Sequence, residues 1–96
     1  MHVISMKPLR AFWAEHPDAE EPLRRWLKTA EDAEWDSFAE VRAVFAHADQ
    51  VGKLTIFNVG GNKYRLVAAI HFNRGRLYVR HVLTHAEYDR GQWKRG

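Results

Sequence analysis

The stretch Asn58-Val59-Gly60-Gly61-Asn62-Lys63-Tyr64-Arg65 decides how this chain is read. A Gly-Gly pair between β-branched and aromatic residues marks a tight hairpin, because glycine takes positive φ at both central positions without a Cβ clash. Around it the hydrophobic period is two, with β-rich runs at 53–59, 63–72 and 76–84. The loops between them are too short for helical crossovers, which predicts an antiparallel meander. Asn73-Arg74-Gly75 makes the second turn, with Gly75 left-handed, and His2-Val3-Ile4-Ser5 supplies a fourth strand.

Alternation then sorts the faces. Tyr64, Leu66, Ala68, Ile70 and Phe72 fall on one side, and Lys63, Arg65, Val67, Ala69 and His71 on the other. In the third run Leu77, Val79 and Leu83 suit the core, leaving Arg76, Tyr78, Arg80, Val82 and Thr84 opposite. The expectation is an open sheet face bearing Lys63, Arg65, Arg76, Tyr78 and Arg80, a surface suited to phosphates and bases.

Before residue 46 the period is helical. Ser5 is placed to cap a first helix with Pro8 in its first turn and Leu9, Phe12 and Trp13 on its apolar stripe, ending at His16-Pro17. Asp18 with Glu21 reads as a capping box for a second helix, whose buried side is Leu23, Trp26, Leu27 and Ala30. Ser37 with Glu40 reads as another, opening a short helix that buries Phe38, Val41 and Phe45. The class is α+β: N-terminal helices on one face of a mostly antiparallel four-stranded sheet, in a single domain over 1–96.

Composition sets the outer bounds. The chain is 46% hydrophobic with a formal charge of +3, a folded domain with little net charge. The charge is unevenly spread. Acids concentrate between 15 and 49, whereas 53–80 carries Lys53, Lys63, Arg65, Arg74, Arg76 and Arg80 and no acid, which suits a polyanionic partner. Cysteine is absent, so neither disulfides nor thiolate metal sites are available. No run approaches the ~20 apolar residues of a membrane span; a cytoplasmic protein with no membrane partner is expected.

Phe57 through Arg65, followed by Arg80-His81-Val82-Leu83-Thr84-His85-Ala86-Glu87-Tyr88-Asp89, resembles the HigB toxin family of bacterial type II toxin–antitoxin systems. The resemblance extends to Val3-Ile4-Ser5 and His16-Pro17-Asp18-Ala19, and so covers essentially the whole chain. It implies a RelE-like fold with helices on one side of the sheet and RNA on the other. It also implies an mRNA endoribonuclease acting on the ribosome, neutralised by a HigA-like helix-turn-helix antitoxin, with DNA reached only through that antitoxin. The implied reaction is metal-free attack of a ribose 2′-hydroxyl on the adjacent phosphate.

Such a cleavage needs a proton acceptor, cationic donors for the phosphorane and a donor for the departing oxygen. Arg65 and Arg80 suit the cationic task, since a guanidinium is always charged and grips two oxygens. His85 is the candidate for proton transfer. Tyr88 would donate a proton, orient the phosphate or stack on a base. Lys63, Asn62, Arg76 and Tyr78 are the candidate RNA contacts, Asn62 also fitting a purely structural turn role. No metal and no cofactor is expected: His81 and His85 on an extended strand lie ~13 Å apart. His2, His16 and His47 read as surface residues, Trp13 and Trp26 as core. Trp93, in a polar tail, is placed to fold over the sheet, touch RNA or dock on the antitoxin. Two alternatives stand beside the nuclease: a non-catalytic RNA-binding or regulatory domain on the same fold, and a structural module whose sheet docks an acidic partner.

Overall fold

The computed structural model describes residues 1–95. Gly60 and Gly61 both have positive φ, 64° and 67°, and turn β3 (Leu54–Val59) into β4 (Tyr64–His71) with Val59 opposite Tyr64 and Asn58 opposite Arg65. A Cβ on Gly60 would sit 3.3 Å from the Tyr64 ring, a tight contact added to the strain of a positive φ. Gly75, left-handed as expected, returns the chain into β5 (Arg76–Thr84), and the three strands form the antiparallel meander.

The sheet has five strands, not four. β1 (His2–Ile4) joins β5 in parallel, and β2 (Asp49–Val51) joins β3 antiparallel, giving the order β1-β5-β4-β3-β2. β2 escapes a pattern reading because it is a three-residue edge strand with Asp49 and Gln50 exposed; backbone pairing defines it, not side-chain alternation.

α1 (Lys7–Glu15), α2 (Glu20–Asp32) and α3 (Phe38–Val44) cover one face, where Leu9, Leu23, Val41, Phe57, Leu66 and Leu77 are fully buried. Phe57 is the centre of this layer, with the Trp26 and Phe45 rings packed edge-on at 5.4 and 5.1 Å. The caps differ from expectation in two places. Met6, not Ser5, precedes α1 and makes no side-chain cap, and Ser5 itself has φ 70°. Asp18 does not cap α2: Pro17–Ala19 forms a 3-10 turn running straight into the helix, whose N-cap is Ala19. Ser37 does accept from the Glu40 N–H at 3.4 Å.

β5 contains a bulge. Val67 pairs with His81 and Ala68 with Val79, leaving Arg80 without a partner on β4. One extra residue inverts the alternation beyond it, so Val82 joins the helix-side core and Leu83 packs on the opposite face. This reverses the assignment read from strict alternation.

That opposite face is not open. α4 (His85–Arg90) and a 3-10 turn at Gln92–Arg95 fold back over it, burying Ile56, Val67 and Trp93 with Val51, Leu54, Leu83 and Tyr88 around them. The reason lies in the strands: Ile56 and Val67 are large apolar groups on this face, and covering them is favourable at about 25 cal/mol per Å².

Candidate nucleic-acid interface and active site

The hairpin and α4 bring together three of the expected residues, Asn62, Arg65 and Tyr88, and a fourth, His85, is tied to the hairpin through its backbone. Arg65 follows the turn directly, opposite Asn58 on one side and Leu83 on the other, so the end of β5 and the start of α4 lie beside it. It is only 8% exposed, a correction to the open sheet face on which it was expected. Its Nη1 donates to the carbonyls of Asn62 (3.2 Å) and Tyr64 (3.1 Å), and its Nη2 to Asn62 Oδ1 at 2.8 Å. Asn62 is thus both a turn residue and the clamp on this guanidinium. Every one of these acceptors is neutral, and among the described residues no carboxylate pairs with Arg65. A guanidinium has five N–H donors, so the Nε–H and one Nη2–H remain for another acceptor. A buried cation without a counter-ion is costly, and that cost is relieved by an anionic ligand.

Tyr88 faces this cation, its ring centroid 5.7 Å from Arg65 Cζ. The ring stacks on Trp93 at 5.0 Å and 13°, and the Trp93 indole N–H donates to the Tyr88 carbonyl at 2.9 Å. Burial, chiefly, raises the Tyr88 hydroxyl above the usual tyrosine value; Asp49 and Asp89 push the same way, and Arg65 opposes them. Tyr88 is therefore protonated throughout the neutral range.

His85 opens α4. Its backbone N–H donates to the Lys63 carbonyl at 3.0 Å, and Thr84 ahead of it forms a reciprocal capping box with Glu87. Its Nδ1 lies 3.0 Å from Asp89 Oδ2, with the side chain about half exposed. A carboxylate this close to Nδ1 favours the tautomer with the proton on Nδ1, which leaves Nε2 as the acceptor of the neutral ring.

The other candidates are placed differently. Lys63 is exposed, but its ammonium turns to Asp18 Oδ2 at 2.5 Å instead of joining Arg65. Arg80, at the bulge, is exposed beside a cleft lined by Phe12, His16, His81 and Glu87. Arg76 and Tyr78 sit at the far end of β5, opposite His71 and Ala69, roughly 20 Å along the strand from Leu83. There Tyr78 meets the His71 ring edge-on at 5.3 Å. The structure does not bring these two into the Arg65 cluster.

Three participants, Asp18, Tyr64 and His16, were read from the sequence in other roles. Asp18 binds Lys63 and also accepts from the Tyr64 hydroxyl at 2.6 Å. The carboxyl is held below its usual range, first by the Lys63 bond and then by that of Tyr64, while Lys63 and Tyr64 are both raised, Asp18 being the leading cause in each. His16, expected on the surface, is half-buried and stacks on Phe12 at 4.4 Å. No local pattern marks the Asp18 contacts, which join residues 45 and 46 positions apart. Trp93 folds over the sheet, one of the places expected for it, above the apolar Ile56 and Val67.

Helices over one face of a mostly antiparallel sheet, with a clamped cation where the hairpin meets the C-terminal helix, define a RelE-like domain. Comparison with known proteins agrees. The profile of the HigB toxin family, described as the RelE-like toxic component of a toxin-antitoxin system, matches residues 19–91. The chain is 34% identical over 92 residues to the mRNA interferase toxin HigB of Escherichia coli K12, covering 93% of this chain and 88% of that protein. It is 30% identical over 93 residues to the mRNA interferase HigB of Escherichia coli O6:H1, covering 94% and 90%. The chain belongs to the HigB toxin family. Among the described residues, no helix is long and apolar enough to cross a membrane.

Proposed function

We propose that this chain is an mRNA endoribonuclease that cleaves transcripts on the ribosome by 2′-hydroxyl attack and is silenced by a HigA-like helix-turn-helix antitoxin. The observation that carries the reading is Arg65: a nearly buried guanidinium clamped by neutral acceptors, with two donors still unused. Two donors in one plane match the two non-bridging oxygens of a phosphodiester. As the 2′-oxygen bonds to phosphorus and the bond to the 5′-oxygen breaks, negative charge grows on those oxygens, where a preorganised cation is most effective.

His85, with the Asp89 carboxylate 3.0 Å from its Nδ1, takes the 2′-hydroxyl proton on Nε2. Tyr88 keeps its proton at neutral pH and stands beside Arg65, so it supplies the hydrogen bond or proton required at the departing 5′-oxygen. The products are a cyclic phosphate and a free 5′-hydroxyl, with no metal or cofactor. Arg80, exposed at the bulge, attracts the flanking RNA backbone. The relatives' names, mRNA interferases, support the substrate, and the family's place in toxin–antitoxin pairs supports the partner.

The test is expression from a tightly repressed promoter. Growth arrest with new mRNA ends carrying 5′-hydroxyls is the expected outcome. Normal growth and intact mRNA in cells holding soluble, folded protein would overturn the reading.

A further inference from the structure

We infer that Asp18 is a positioning residue for the Arg65 site, acting from the helix layer through both Lys63 and Tyr64. The inference rests on the nuclease reading for its kinetic test, though not for its structural one. Asp18 uses both carboxylate oxygens: Oδ2 receives the Lys63 ammonium at 2.5 Å and Oδ1 the Tyr64 hydroxyl at 2.6 Å. These two consecutive residues are the ones the site hangs from. The Tyr64 carbonyl accepts from Arg65 Nη1, and the Lys63 carbonyl accepts from the His85 N–H. One carboxylate thus fixes the backbone that orients the cation and the backbone that places the histidine.

The Tyr64 ring is the rigid part of this link. It is buried, edge-on to Phe12 at 5.1 Å and near His16 at 5.8 Å, so its hydroxyl has a defined position from which to reach Asp18. Asp18 is fixed in turn by the 3-10 turn Pro17–Ala19. The failed cap has a reason here: the carboxylate that would have capped α2 is committed to the hairpin. Asp18 and Lys63 are more than half exposed, and exposed pairs contribute little to stability. The value of this pair lies in geometry, since small misplacements of a reacting group are costly in rate.

The experiment compares Asp18→Ala, Asp18→Asn and Asp18→Glu in the full chain. Arg65 guanidinium N–H resonances, observed by nitrogen-edited NMR without RNA, should be slow-exchanging in the parent and broadened in Asp18→Ala. With mRNA on translating ribosomes, Asp18→Ala should lower kcat about 10- to 100-fold with KM little changed. The same change on an Arg65→Lys background should cost clearly less than in the parent, because only the route through Lys63 to His85 then remains. Asp18→Asn keeps an acceptor for Tyr64 and should fall between, and it serves if the alanine variant does not fold. Asp18→Glu should restore part of the rate. Unaltered guanidinium signals in Asp18→Ala, or an equal further loss on the Arg65→Lys background, would overturn the inference. A parent protein that leaves mRNA intact refutes the nuclease reading while the guanidinium signals still decide the role of Asp18.

Discussion

The two ends of the β4–β5 ladder carry similar residues and have opposite characters. At one end Arg65 is buried, clamped by Asn62 and faced by Tyr88; at the other Arg76 is exposed, with Tyr78 against His71. In sequence Arg65, Arg76 and Tyr78 all fall on the same alternating face. The difference is cover: α4 and Trp93 close over the first end and leave the second bare. A basic strand residue becomes a candidate catalyst when packing removes its water and gives it no counter-ion.

This contrast is sharpened most by Arg65→Ala, which should reduce cleavage on translating ribosomes about 10³-fold with the fold retained; a loss under tenfold would break it. His85→Gln should cost about 10²-fold in the same assay. Trp93→Ala removes the lid of the covered end, and a thermal melt should register about 3 kcal/mol of lost stability. Arg76→Ala, at the bare end, should leave kcat unchanged and reduce the salt slope of RNA binding by about 1 at most.

A smaller, pH-dependent effect bears on the covered end as well. Tyr64 and Tyr88 are raised in the folded protein, so their contribution is present below the unfolded value of 10.0 and is lost as pH rises beyond it. Asp18 is lowered, so its contribution is present above 3.8 and is lost as pH falls through its folded value. Melts in the alkaline range should show a decline that Tyr64→Phe lessens, and a decline identical in that variant would remove Tyr64 from the account.

Much of this was legible in the chain. Gly60-Gly61 announced the hairpin and its register, the helical stripes announced three helices, and the paired motifs announced the family. Arg65, His85 and Tyr88 were reachable because they follow a turn or end a strand. What was not legible depends on distant partners. The bulge at Arg80 has no composition of its own, yet it reversed Val82 and Leu83. Lys63 looked like a phosphate ligand because Asp18, 45 residues earlier, is invisible to local pattern. β2 was missed because an edge strand needs only backbone groups that pair.

The bulge carries a further consequence. Arg80 acts as a spacer as well as a charge, and the two roles are separable: substitution there removes the guanidinium but keeps the count of residues between Val79 and Val82. Deletion would bring Val79 and His81 together opposite Ala68 and Val67, so that Val82 stays in the helix layer, Leu83 stays on the opposite face, and only the local bend of the bulge is lost. A shortened β5 should therefore keep His85 and Tyr88 in place while lacking the Arg80 guanidinium, which isolates the charge from the register of the strand.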